Sequence, residues 1–350
     1  MYEMVFMKTK SHITIYDISK RLKISPSTVS RALNDNPRVN ADTKKLIVET
    51  AKQMNYKQNK LALALKSGQS MVVGVVVPFI NRSFFSTVIR GIEEELKPLG
   101  YHVIICQTGE DSSAEQENIY ALLDAQVDGV FLSTSTGRTE SKIHLNHVIE
   151  HDKPLVLVDR GVDFADASTV VIDDFKGAYE ATKHLIEQGC KTIVHFACDR
   201  KFDIYENRFL GYSAALEDHG IRLDSKKYVI QTNSVIENGR AAIVDLLKQN
   251  IEFDAVFSAS DFAAIGAYLE LEEQGIGIPD QVALVGFGNE PFIKYTRPSI
   301  SSVDQSPLEM GRRAAQLFLT SIKQKGEDPI SEKIVLPAVL HIRNSSKKIE

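Results

Sequence analysis

Apolar residues recur in two different rhythms along this chain. Over residues 13–34, ITIYDISKRLKISPSTVSRALN, Ile15, Ile18 and Leu22 fall at helical spacing and can share one buried face. Thr14 can cap that helix through its hydroxyl, and Lys23 and Ile24 make a turn. Ser25 then caps a second helix, Pro26 takes a position that tolerates proline, and Val29 and Leu33 point inward. Asn40 caps a third helix, on which Ile47, Ala51 and Met54 recur. Together these residues predict a small three-helix core. Residues 59–66 contain strong helix formers but only two turns, too few to hold a helix alone in water. That stretch should order only when a partner covers Leu61 and Leu65.

From Met71 the rhythm changes to solid Val/Ile-rich runs alternating with helical patterns. The first series is 72–77, 103–106, 129–133, 155–158 and 170–172, and the second is 192–196, 228–231, 255–258 and 282–287. Runs of this kind are strands buried on both faces by helices, in parallel sheets. The series also echo each other: 91–107 resembles 211–231, and 121–134 resembles 246–260. The predicted fold is therefore α+α/β: a helix-turn-helix headpiece followed by two doubly wound parallel-sheet α/β lobes. Small ligands bind between such lobes, at the carboxyl ends of the strands. A chain of 350 residues has ample length for such a division.

Charge sharpens the picture of the headpiece. The whole chain carries net −5, but residues 8–70 hold thirteen Lys or Arg against four acids, net +9. Residues 71–350 hold 28 basic and 41 acidic residues, net −13. A basic head on an acidic body is the footprint of a domain that sits on phosphates. The second helix turns Ser27, Thr28, Ser30, Arg31 and Asn34 outward, a set suited to base edges in a major groove. The candidate DNA contacts are Thr14, Tyr16, Ser25, Pro26, Ser27, Thr28, Ser30, Arg31 and Asn34. Leu65 is added as a wedge between base steps of the minor groove.

The chain shows no apolar run long enough to span a membrane and no secretory signal, so a cytoplasmic protein is expected, with Met1, Met4 or Met7 as its start. Cys106, Cys190 and Cys198 are odd in number and lack CxxC spacing, which suits thiols in a reducing compartment.

Polar residues at the strand ends are the ligand candidates. They are Asp159 and Arg160, Asp173 and Asp174, Ser260 and Asp261, and Asn289, joined by Arg208 on a helix and by the rings of Phe84 and Phe85. Asp173, Asp174 and Asp261 each precede a helix, so each is as well placed to cap it as to touch a ligand. His144, His147 and His151 have a spacing that could serve a metal, but convergent ligands are lacking, so neither metal nor cofactor is expected. No GxSxG, Walker loop or HExxH occurs, and Gly286-Phe-Gly288 lacks the rest of a dinucleotide loop, so no enzyme is expected.

These motifs carry a family resemblance. The stretch ITIYDISKRLKISPSTVSRALN…PRVNADTK, the NKLALALKSG segment, VVIDD, ENRFLGY, ASDFAAIGA, IPDQVALVGFGNEP and SSVDQ resemble the lactose-repressor/galactose-repressor (LacI/GalR) family of bacterial transcription factors. The resemblance runs from about residue 13 to residue 343. It implies a periplasmic-binding-protein-like sensor and a homodimer whose heads bind a pseudo-palindromic operator. It also implies an effector in the cleft, a sugar or sugar derivative, that alters DNA affinity. Pro26, Ser27 and Arg31 fall on the base-reading positions, and Phe84, Phe85, Asp159, Arg160, Arg208, Ser260, Phe287 and Asn289 line the effector cleft. The implied division is a headpiece at 12–57, a hinge at 58–70 and a sensor at 71–345. Lobe 1 takes about 71–172 and 304–332, and lobe 2 takes 173–303 and 333–345, with crossings near Asp173, Val303 and Lys333.

Departures from the family pattern are local. Gly288 stands where many members carry a ligand-gripping aspartate, so that contact moves to Asn289 or Glu290. Ser234 replaces an aromatic, and Gln58 and Leu63 replace a hinge proline and arginine. The alternatives are a sugar receptor that does not bind DNA, an enzyme acting on the cleft ligand, and a regulator that answers to a nucleobase.

Overall fold

The computed structural model describes residues 13–57, 68–137, 142–161, 164–324 and 331–347. The hinge expectation at 58–67, including the Leu65 wedge, lies outside the described residues. The chain divides into two compact units, residues 1–70 and 71–350.

The first unit is built from α1 (Ile15–Leu22), α2 (Pro26–Leu33) and α3 (Ala41–Gln53). Ile18, Val29, Ala32, Ile47 and Ala51 are buried at its centre, with Ile15, Leu22, Leu33 and Met54 packed around them. Lys23 ends α1 in the left-handed region at φ 54°, which turns the chain sharply into α2. The Ser25 hydroxyl accepts the Thr28 N–H at 3.2 Å, and the Asn40 side chain accepts the Thr43 N–H at 3.0 Å. Each such cap is worth about 1 kcal/mol. Thr14 works differently from the expectation: its hydroxyl and its N–H both donate to the Asp17 carboxylate, at 2.7 and 2.8 Å. Those bonds hold the Asp17 carboxyl below the usual range.

The second unit holds two six-stranded sheets. In chain order its elements are β1 (Val72–Val77), α4 (Ser83–Leu96), β2 (His102–Gln107), α5 (Ser112–Asp124), β3 (Val130–Leu132), α6 (Ile143–Glu150), β4 (Leu155–Val158) and β5 (Ser168–Ile172). Next come α7 (Asp174–Glu187), β6 (Ile193–Ala197), α8 (Asp203–Asp218), β7 (Val229–Gln231), α9 (Ile236–Lys248), β8 (Ala255–Ser258), α10 (Asp261–Glu273) and β9 (Ala283–Phe287). The chain closes with β10 (Ser301–Asp304), α11 (Pro307–Lys323), β11 (Lys333–Leu336) and β12 (Val339–His341). The orders are β11-β5-β4-β3-β1-β2 and β12-β10-β9-β8-β6-β7, so β2 and β7, and β3 and β8, occupy equivalent places. That matches the two sequence echoes. Every pairing is parallel except β10 with β12.

The implied lobe division needs one correction. Lys333–Leu336 pairs with β5 in the first sheet, so it does not belong to lobe 2. The last crossing falls after Leu336, because β12 already pairs with β10 of the second sheet. The edge strand β2 also departs from a fully buried run, with Ile104 and Ile105 exposed.

Within each lobe, helices pack closely where glycine removes the side chain. A Cβ on Gly91 of α4 would sit 2.3 Å from the Leu308 carbonyl of α11, and one on Gly311 of α11 would sit 2.1 Å from the Val88 carbonyl. Two backbones therefore touch, and α4 is held rigidly with its first turn at the mouth of the lobe. Among the described residues no helix is long and apolar enough to cross a membrane.

Candidate functional site

On the headpiece, α2 presents Ser27 and Arg31 to solvent, and Tyr16 on α1 is 68% exposed. Thr14, Ser25 and Asn34 are exposed as well, while Pro26, Thr28 and Ser30 are half-buried. Besides Thr14, four of the expected contacts spend polar atoms on the helices themselves. The Ser25 hydroxyl meets those of Ser27 and Thr28 at 3.0 and 2.8 Å, and the Asn34 amide donates to the Ser30 carbonyl at 2.9 Å. Arg31, in the last turn of α2, reaches outward with a side chain long enough to enter a groove.

In the second unit, a cavity of about 420 Å³ opens at the carboxyl ends of β1, β4, β6, β8 and β9. Phe84, Phe85, Asp159, Arg160, Arg208, Ser260 and Phe287 all line it. Each has a structural reason to be there. Phe84 and Phe85 open α4 and pack edge-on at 5.1 Å, Asp159 and Arg160 leave β4, and Ser260 caps α10.

Arg208, 4% exposed on its side chain, donates through Nε to the Asp174 carboxylate at 2.7 Å and through Nη1 to the Ala259 carbonyl at 2.8 Å. Its guanidinium lies 3.7 Å from the centre of the Phe287 ring. Burial pushes the Asp174 carboxyl up to about 7, against the pull of Arg208. Burial likewise raises the Asp159 carboxyl, against the pull of Arg160 and Arg208.

Four expected ligand residues lie outside this lining, Asp174 among them as the buried partner of Arg208. Asp173 caps α7, accepting the Lys176 N–H at 2.9 Å, and lines a separate hollow of about 660 Å³. Asp261 is fully buried within lobe 2, where it accepts the Glu290 N–H and the Ser302 hydroxyl, each at 2.8 Å. Burial pushes its carboxyl up to about 7. Asn289 is tied to Asp304 and to Arg343, each at 2.5 Å. Capping and lobe packing therefore claim Asp173, Asp261 and Asn289. Gly288 and Glu290 both line the cavity, whereas Asn289 does not.

Sequence reasoning passed over Phe79, Arg82, Glu110, Phe202, Tyr205 and Phe262, all in the lining. Arg82 sits 3.5 Å over the Phe262 ring, and Arg160 sits 4.1 Å over the Phe202 ring, each arginine from lobe 1 and each ring from lobe 2. Three guanidiniums thus lie on three aromatic faces, contacts that gain strength once desolvated. Arg82 and Glu110 fall in loops after β1 and β2, so a search of strand ends could have included them. Cys198 also lines the cavity, but burial pushes its thiol up to about 12, so it stays protonated and a poor nucleophile.

His144 and His147 on α6 and His151 at its end do not converge. His144 meets the buried Glu115 at 2.8 Å, whereas His147 pairs with Glu150 at 3.3 Å. Among the described residues no group of three metal-binding side chains forms.

Two family models match the chain: "Bacterial regulatory proteins, lacI family" over residues 14–59, and "Periplasmic binding proteins and sugar binding domain of LacI family" over residues 70–343. The chain belongs to the LacI family. LacI-family membership joins a helix-turn-helix that binds DNA to a two-lobed sensor of the sugar-binding type. Among LacI-family relatives, the transcriptional regulator DegA of Bacillus subtilis is 30% identical over 336 residues, covering 96% of this chain and 98% of that protein. The ribose operon repressor of Haemophilus influenzae is 30% identical over 315 residues, covering 90% and 93%. A LacI family regulator from Enterococcus faecium, solved with bound ribose, superposes with a TM-score of 0.71 at 28% identity, covering 80% of this chain and all of that one.

Proposed function

We propose that the protein is a dimeric, ligand-responsive transcriptional repressor of carbohydrate-utilisation genes. Its two heads would lie on a pseudo-palindromic operator, and a sugar or sugar derivative in the cleft would set their grip. The observation that carries this reading is the cleft itself, where residues from both lobes bring guanidiniums, carboxyls and aromatic rings to one cavity beside a buried Arg208. Planar rings stack on sugar faces, while carboxylates and guanidiniums take ring hydroxyls. The +9 charge of residues 8–70 supports the DNA half of the reading. Arg31, Tyr16, Ser27, Pro26, Thr28 and Ser30 are the residues proposed to face the duplex, with Thr14, Ser25 and Asn34 holding the helices in place.

Coupling is a free-energy link between the two sites. A ligand that favours one closure of the lobes would change the affinity of the paired heads for the operator by the same factor by which DNA changes the affinity for the ligand. The test is selection of duplexes from a randomised pool, followed by filter binding of the winner with and without a sugar panel. Selection of a palindromic site whose affinity shifts with one sugar is expected. No preference for any duplex would end the repressor reading, and a sugar-independent affinity would end the effector half.

A further inference from the structure

We infer that the effector is an acidic sugar, a polyhydroxylated molecule bearing one carboxylate or phosphate, and that Arg82 and Arg160 hold its anionic group. The inference rests on the regulator reading and narrows its ligand. Two observations point the same way.

The first is hydrogen bonding. Arg160 is buried, 5% exposed on its side chain, and spends only Nη2, on Glu110 at 2.5 Å. Its Nε and Nη1 have no partner among the described residues, nor has Nη1 of Arg82. A guanidinium is a fixed fork of N–H donors that matches the oxygens of a carboxylate or phosphate. Unpartnered donors of two such forks, lining one cavity, call for an acceptor with several oxygens.

The second is charge. The contacts of Arg82 are the Ser234 carbonyl at 3.3 Å and the rings of Phe262 and Phe79, with no ion pair among the described residues. Each acid in the lining has a protein partner: Glu110 pairs with Arg160, Glu290 accepts from the Ser83 hydroxyl at the start of α4, Asp199 accepts the Lys201 N–H at 3.0 Å, and Asp159 meets Ser133 and Gln305 at 3.5 Å. Burial raises both Asp159 and Glu290, against the pull of Arg160 and Arg208 on the first and of the Ser83 hydroxyl and Arg82 on the second. A neutral hydroxyl meets one donor at a time, whereas a carboxylate or phosphate meets both forks and adds a full opposite charge beside Arg82, which Glu290 attracts without an ion pair.

Calorimetry of the full chain against matched pairs tests this: gluconate and glucuronate against glucose, and ribose phosphate against ribose, at low and high salt. The acidic member of at least one pair should bind at least about tenfold tighter than its neutral counterpart, with an advantage that shrinks as salt rises. The gluconate, glucuronate and phosphate arms separate carboxylate from phosphate as the source. Arg82→Gln should erase that advantage and Arg82→Lys should keep part of it. Arg160→Gln should act like Arg82→Gln, and Arg82, half-buried and without an ion pair, remains informative if Arg160→Gln fails to fold. Equal or tighter binding of the neutral member in every pair overturns the inference and leaves the sugar-responsive regulator standing. An unchanged acid-to-neutral ratio in both glutamine variants also overturns it. Binding of neither series overturns both readings.

Discussion

Glu290, just past β9 in the second lobe, accepts a hydrogen bond from the hydroxyl of Ser83, the first residue of α4 in the first lobe, 207 positions earlier. This bond bridges the two walls of the cleft at the amino end of a helix, where a carboxylate is favoured by the aligned peptide dipoles. Glu290→Ala should therefore loosen closure. A hydrogen bond to a charged group is worth about 1.5–3 kcal/mol, so small-angle scattering should show a larger radius of gyration for the variant. An unchanged radius would mean that the bond does not hold the lobes.

Arg208 is predicted to serve both stability and ligand response. Arg208→Ala would strand Asp174 as a buried uncompensated acid, and breaking such a pair costs about 3–5 kcal/mol. Calorimetric unfolding should show a lower transition for the sensor, and effector titration should show no heat. Arg208→Lys retains the charge but loses the flat contact with Phe287, and should fold with weakened ligand binding. Full ligand affinity in the lysine variant would remove Arg208 from the site.

The glycine contact between α4 and α11 makes a prediction about packing alone. Gly91→Ala and Gly311→Ala each force two helix backbones apart, and overpacking of this kind costs about 1–3 kcal/mol. Thermal unfolding should register the loss in the sensor transition, while a melt of the headpiece should be unaffected. Wild-type stability in both variants would show that the helices can separate without cost.

Asp261 should tilt stability with pH. Its carboxyl rises from an ordinary 3.8 to about 7, mainly through burial, with the Glu290 N–H, the Ser302 hydroxyl and Arg343 pulling the other way. The folded state thus holds a proton that the unfolded state has released. Its contribution is fully present below about pH 4 and is lost as pH rises through about 7, at up to about 1.4 kcal/mol per pH unit. Asp261→Asn should flatten that part of a melting-temperature profile between pH 5 and 8. An identical slope in the variant would assign the dependence to another group.

On the headpiece, Arg31→Ala should cost about 1–3 kcal/mol at one operator position. A competition assay over single-base variants of the selected site would show relaxed preference there. Uniform weakening across all variants would make Arg31 a phosphate contact instead.

The headpiece and the strand-helix alternation were legible because apolar spacing reports burial directly. Ile18, Val29 and Ile47 fill the small core as their spacing requires. What escaped was burial of polar residues. In β10, Ser301 and Ser302 are completely buried, satisfied by partners as distant as Ser345, Ser346 and Asp261, so SSVD does not read as a strand. β11 and β12 are three or four residues long and partly exposed, below what periodicity can register. In the cleft, strand ends gave Asp159, Arg160 and Ser260 correctly as lining, yet could not separate them from Asp173, which caps a helix instead. Arg82 stayed hidden because its role depends on Phe262, a residue of the other lobe.

Only Pro337 and Ala338 lie between β11 in one sheet and β12 in the other, and the passages at Asp173 and Asp304 are similarly abrupt. Three such short straps side by side leave the lobes little freedom to slide or drift apart, yet still allow them to swing like covers on a book's spine. A molecule gripped between the covers is then felt as an angle, and an angle is a quantity that the far edges of the covers magnify.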